Sequence, residues 1–129
     1  MAFEITNETL SKPAFRSGLN KVLSAESKDH KVIYNLGRVG DKIEQAIKEA
    51  QRDMRKLAKS HKVLNEQGII GASAEGNDAW EKAYEDFMKH PVKVERRKIR
   101  LEDIREVPLS PLELNALEPI LDGIDRLAN

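Results

Sequence analysis

Cysteine is absent from the 129 residues, which excludes disulfide scaffolds, thiolate zinc sites and cysteine nucleophiles. No sign of charge prevails: 22 Lys+Arg stand against 22 Asp+Glu, a formal net charge of +0. A uniformly basic nucleic-acid coat protein is thereby excluded, although local patches are not. Aromatics make up 5% of the chain, so the core must be mostly aliphatic. No apolar run approaches the roughly 20 residues that a membrane-spanning helix needs. The opening Met-Ala-Phe-Glu-Ile-Thr-Asn-Glu lacks the basic start and apolar stretch of a signal peptide. These absences predict a soluble, intracellular, single-domain protein.

Signatures of chemistry are equally scarce. His30, His61 and His90 lie far apart and form no His-Glu-x-x-His pattern, which removes a zincin. There is no Gly-x-Ser-x-Gly elbow. The glycine-rich run from Gly68 to Gly76 has no Gly-Lys-Ser/Thr and reads as a helix–helix loop. Carboxylates are abundant, but no pair stands alone in apolar surroundings, as general acid–base chemistry requires. The expectation is a non-enzymatic protein with no catalytic residue, no metal ligand and no cofactor.

What the sequence does contain is periodicity. Phe3 and Ile5 alternate with polar neighbours, the period of a strand. A first helix is predicted from about Glu8 to Ser24, and Pro13 delays its start or breaks it. Apolar or small residues then recur at Val32, Leu36, Val39, Ile43, Ala46, Ala50, Met54, Leu57, His61 and Leu64. Their steps of three and four predict one long helix from about Asp29 to Asn65. Gly37 and Gly40 fall inside it, marking a bend or a close crossing. Asn77 or Asp78 caps a third helix over Asp78–Lys89, which holds Trp80, Tyr84 and Phe87, half of the six aromatics. Residues 92–101 read as one strand with a bulge near Arg96-Arg97, paired with the N-terminal segment. Ser110-Pro111-Leu112-Glu113 is a capping box with proline at the first helical position. It opens a last helix to about Leu121. The predicted fold is mainly α with a small β element. It combines a long helical hairpin with a short two-stranded sheet made from the N-terminal segment and residues about 92–101.

Charge is distributed in blocks. Residues 89–105 carry seven basic and three acidic side chains, net +4, and residues 41–62 carry seven and four, net +3. Residues 63–88 are net −5 and residues 106–129 net −4. Alternating blocks suit self-complementary packing, within the chain or between copies. The alternative is that Arg96, Arg97, Lys98 and Arg100 grip a phosphate-bearing ligand.

The layout also carries a resemblance. Glu-Ile-Thr-Asn-Glu-Thr-Leu at 4–10 precedes a long charged helix with Lys-Ile-Glu-Gln-Ala-Ile-Lys at 42–48. A glycine-rich loop follows, then Trp-Glu-Lys-Ala-Tyr-Glu-Asp-Phe at 80–87, a Val-Lys-Val strand, and Leu-Ser-Pro-Leu-Glu-Leu-Asn-Ala-Leu-Glu-Pro at 109–119. This order resembles a group of small uncharacterised proteins of tailed bacteriophages and prophages. The resemblance implies a phage gene expressed in the cytoplasm of a bacterial host, with a place in the virion also open. It implies no mechanism.

Two functional expectations follow. The first is a phage accessory protein acting through self-assembly and a phage or host protein partner. A 37-residue helix would be about 55 Å long, more than three short helices can cover, so Ile43, Ile47, Ala50 and Met54 are the expected contact in a homo-oligomer. The second is an oligomeric binder that sequesters nucleotide immune signals, with Trp80, Tyr84 and Phe87 stacking a base and Arg96, Arg97 and Arg100 holding phosphates. Nucleic-acid binding is a weaker third option, and no membrane association is expected.

Overall fold

The N-terminal segment forms β1 (Phe3–Thr6), the first of four short strands in a computed structural model that describes residues 2–26 and 29–123. β1 pairs antiparallel with β2 (Pro91–Val94), Phe3 opposite Val94 and Ile5 opposite Val92. Phe3, Ile5 and Val94 are buried while Glu4 and Lys93 are exposed, the alternation that the sequence period requires. Helices dominate the rest, as predicted.

The first helix is split. Thr6 caps α1 (Asn7–Ser11), and Pro13 starts α2 (Pro13–Leu23) after Lys12 adopts an extended conformation. Asn7 is the first helical residue, one position ahead of the predicted start. It is buried, and its Nδ2 donates to the Phe87 carbonyl at 2.9 Å. That bond ties α1 to the end of α4 (Asp78–Lys89).

The long helix is α3 (His30–Ser60), 31 residues and about 46 Å. It stops five residues short of the predicted end because the chain turns left-handed at Lys62, with φ of 59°. Lys62 N–H donates to the Lys59 carbonyl and Val63 N–H to the Ala58 carbonyl, both at 3.1 Å. This is the paired closure that glycine usually provides at a helix end. Val63 and Ala58 meet in one apolar cluster, which anchors the turn. Gly37 and Gly40 do not break α3. Gly40 is buried, and a Cβ there would lie 2.6 Å from a methyl of Leu23, so it marks the crossing of α2; Gly37 faces open space.

Residues 92–101 do not form one bulged strand. β2 ends at Val94, and Ile99–Arg100 form a separate strand, β3, that pairs in parallel with β4 (Leu121–Asp122). The bulge expected near Arg96-Arg97 is therefore a change of sheet. The last helix is also shorter than predicted: α5 (Pro111–Leu117) passes into a 3-10 turn at Glu118–Ile120 around Pro119, because proline cannot continue the hydrogen-bond ladder. The capping box forms as read. Glu113 N–H donates to Ser110 Oγ at 3.1 Å, and Ser110 N–H donates to Glu113 Oε1 at 3.0 Å.

The main core gathers Phe3, Ile5, Leu10, Phe15, Leu19, Val39, Ile43, Ile99, Leu117 and Ile120. α1, α2, α4, β2 and β3 all pack along α3. A smaller cluster of Ala58, Val63 and Trp80 lies beyond the main core, at the C-terminal end of α3. Among the described residues no helix is long and apolar enough to cross a membrane.

Candidate functional site

Two surfaces stand out, one at each end of α3. The first is a groove of mixed lining at its C-terminal end, with exposed apolar side chains beside it. Asn65 organises the returning loop: its Oδ1 accepts from Gln67 N–H at 2.9 Å and Ile69 N–H at 3.1 Å. Leu64 and Ile70 form an isolated antiparallel bridge. This small hairpin leaves Ile69 63% and Ile70 42% exposed. Asn77 Oδ1 then accepts from Trp80 N–H at 3.0 Å, capping α4, which runs back along α3. Trp80 is buried against Ala58 and Val63, with its ring centroid 5.9 Å from that of His61 and 5.7 Å from that of Tyr84. Tyr84 remains 40% exposed. Met54, Leu64, Ile70, Tyr84, Phe87 and Met88 line the resulting groove of about 540 Å³, together with the polar side chains of Ser11, Arg16, Gln51 and Arg55.

The second surface is a polar cleft of about 840 Å³ at the opposite end. The link from β2 to β3 supplies Arg96, Arg97 and Lys98, β3 supplies Arg100, and the first turns of α3 supply Lys31 and Asn35. Asp29, Asp103 and Asp122 line the same cleft. Arg100 forms an ion pair with Glu102. Among the described residues, the side chains of Lys31, Arg96, Arg97 and Lys98 form no ion pair. Arg96 Nε is shut off from water and has no hydrogen-bond acceptor.

These positions correct two expectations. Trp80, Tyr84 and Phe87 do not share a site with Arg96, Arg97 and Arg100. Trp80 flanks α3 at Ala58 and Phe87 lies nearer Ala50, whereas the arginines lie near Asn35, so the two groups are roughly 20–35 Å apart along the helix. The physical reason is that α4 and β2 carry the chain back along α3 between the two groups. A base stacked on these aromatics cannot place its phosphates on these arginines.

The expected oligomer contact also moves. Ile43 is fully buried and Ala50 is 9% exposed, both within the chain's own core. Ile47 is half-buried against that core, while half-buried Met54 packs on the smaller cluster and lines the groove. The expectation undercounted the cover, because β2, β3 and the returning loop share the stripe with the short helices. The loop residues Ile69 and Ile70 supply exposed apolar surface that a search for helical stripes passes over; the adjacent isoleucines amid glycines were the available signal.

The remaining polar cluster is structural. Glu113 is a buried side chain that accepts from Lys21 Nζ at 2.7 Å and from Ser17 Oγ. Hydrogen bonds from Lys21, the Ser110 backbone and Ser17, in that order, hold its carboxyl at about 2, well below the ordinary value of 4.5. It joins α2 to the start of α5. Among the described residues no group of three or more His, Cys, Asp or Glu side chains is placed to hold a metal ion. No protein-family model, curated protein or solved structure matches the chain.

Proposed function

We propose that the chain is a non-enzymatic, phage-encoded accessory protein that works through self-assembly and binding of a protein partner in the bacterial cytoplasm or the virion. The observation that carries this reading is the C-terminal end of α3, where the apolar side chains of Ile69, Ile70 and Tyr84 are exposed beside a groove that mixes apolar walls with Arg16 and Arg55. Apolar side chains gathered beside a groove are what protein–protein contacts use. The groove lies between two helices with a tyrosine and two methionines on its walls, the adaptable and aromatic surface that interfaces favour. The resemblance in layout to phage and prophage proteins supports the biological setting.

Light scattering after size exclusion tests the self-assembly. The expected mass at micromolar concentration is a multiple of 14.6 kDa, and Ile69→Lys with Ile70→Lys should return it to the single-chain value while leaving the far-ultraviolet circular dichroism spectrum of the folded chain unchanged. A single-chain mass for the parent protein overturns self-assembly. Gene neighbourhood tests the setting: a place among head and tail genes supports virion building, and a place among early accessory genes supports a host-protein target.

A further inference from the structure

We propose that the cleft between the 95–98 link and the first turns of α3 binds a small molecule bearing a diphosphate or triphosphate group. Four cationic side chains, Lys31, Arg96, Arg97 and Lys98, line it without forming an ion pair among the described residues. Their mutual repulsion favours an anion between them. Arg96 adds a second, independent observation. Its Nε is enclosed and lacks an acceptor, whereas buried donors in folded proteins are nearly always satisfied. With Nε enclosed, the guanidinium can meet an anion in the cleft only through its two terminal Nη groups, whose planar fork matches two phosphate oxygens at once.

The chemistry of the ligand follows from charge, size and what the walls omit. The lining carries five cationic and three carboxylate side chains, net +2, and the four cations outside ion pairs offer more N–H donors than the oxygens of one phosphate group can engage, so linked phosphates match them better than a single one. The cleft volume of about 840 Å³ falls within the roughly 300–1,000 Å³ of small-molecule sites. Phe3 is the one aromatic on its walls, and it is 8% exposed and committed to the core. Recognition therefore rests on the phosphates rather than on stacking of a base. The carboxylates of Asp29, Asp103 and Asp122 share the cleft. They repel an extended polyanion that must run past them, and tolerate a compact one held among the cations. This inference concerns the end of α3 opposite that groove and stands independently of self-assembly.

Isothermal titration of the full chain with inorganic pyrophosphate and tripolyphosphate at low salt tests it. Both should bind, and orthophosphate should bind at least about tenfold more weakly, since it engages fewer of the charge-assisted hydrogen bonds. Arg96→Gln and Arg97→Gln should each weaken tripolyphosphate about tenfold on the same basis. Lys98→Gln, at an exposed position, gives the same test should the Arg96 variant fail to fold. Lys56→Gln, exposed on α3 and outside the cleft, should leave binding unchanged. Absence of binding by both polyphosphates overturns the proposal. So does an equal loss in Lys56→Gln, which would mark non-specific attraction. Tighter binding of a single-stranded RNA oligonucleotide than of tripolyphosphate also overturns it, in favour of a nucleic-acid surface.

Discussion

Truncating Ile5 to alanine isolates what the N-terminal strand contributes. Ile5 is 2% exposed, lies opposite Val92 in the antiparallel pair and belongs to the main core. Its neighbour Glu4 occupies the same strand on the exposed face. Removing the buried isoleucine side chain forfeits its transfer free energy and leaves a cavity, costing about 2–5 kcal/mol. Small domains are stable by only about 5–15 kcal/mol, so this one side chain accounts for a large share. At several degrees per kcal/mol for a chain of this length, the melting temperature should fall by roughly 10 °C or more. Glu4→Ala should stay within about 0.5 kcal/mol of the parent, as exposed substitutions usually do. Urea unfolding followed by circular dichroism reads both variants on one scale. The predicted order is a large loss for Ile5→Ala and almost none for Glu4→Ala. Equal midpoints for the two variants would refute the strand register, because a one-residue slip exchanges the buried and exposed faces. Deleting residues 2–6 should cost more than Ile5→Ala, since Phe3 and the Thr6 cap are lost with it.

The two glycines of α3 should respond in opposite directions. Gly37→Ala meets nothing within 4 Å and should stabilise the protein by about 0.5–1 kcal/mol, the helix preference for alanine over glycine. Gly40→Val drives a side chain into Leu23, whose methyl would lie 2.6 Å from the new Cβ, and should destabilise by about 1–3 kcal/mol; thermal melts that shift both variants the same way contradict the crossing. Glu113 should make stability depend on pH in the acid range. Its folded carboxyl is held at about 2 against an ordinary 4.5, so the benefit is complete above the ordinary value and is lost as pH falls through 4.5 towards 2. Glu113→Gln should be less stable than the parent at neutral pH, with the difference shrinking over that acid window in urea titrations. A difference independent of pH would show that the carboxylate's charge is not what the cluster uses.

Signals confined to a few neighbouring residues were legible in the sequence by itself. The cap at Asn77, the reciprocal bonds of Ser110 and Glu113, the span of α4 and the long run of α3 each arise from interactions within one or two helical turns. The pairing of Phe3–Thr6 with the Val92–Val94 segment was legible as well, because alternation identified few partners. Only the tertiary structure decided the rest. β3 and β4 are two residues each and some twenty residues apart, too short for a period and joined by no hairpin turn, so their parallel pairing exists only once α5 has returned the chain. The cover over Ile43 and Ala50 comes from several short elements whose burial depends on where they land. The same holds for function: sixteen positions separate Trp80 from Arg96, yet α4 lies antiparallel to α3 and delivers them to opposite ends of it. Sequence periodicity states which face of a helix is apolar; chain direction in three dimensions determines which side chains meet.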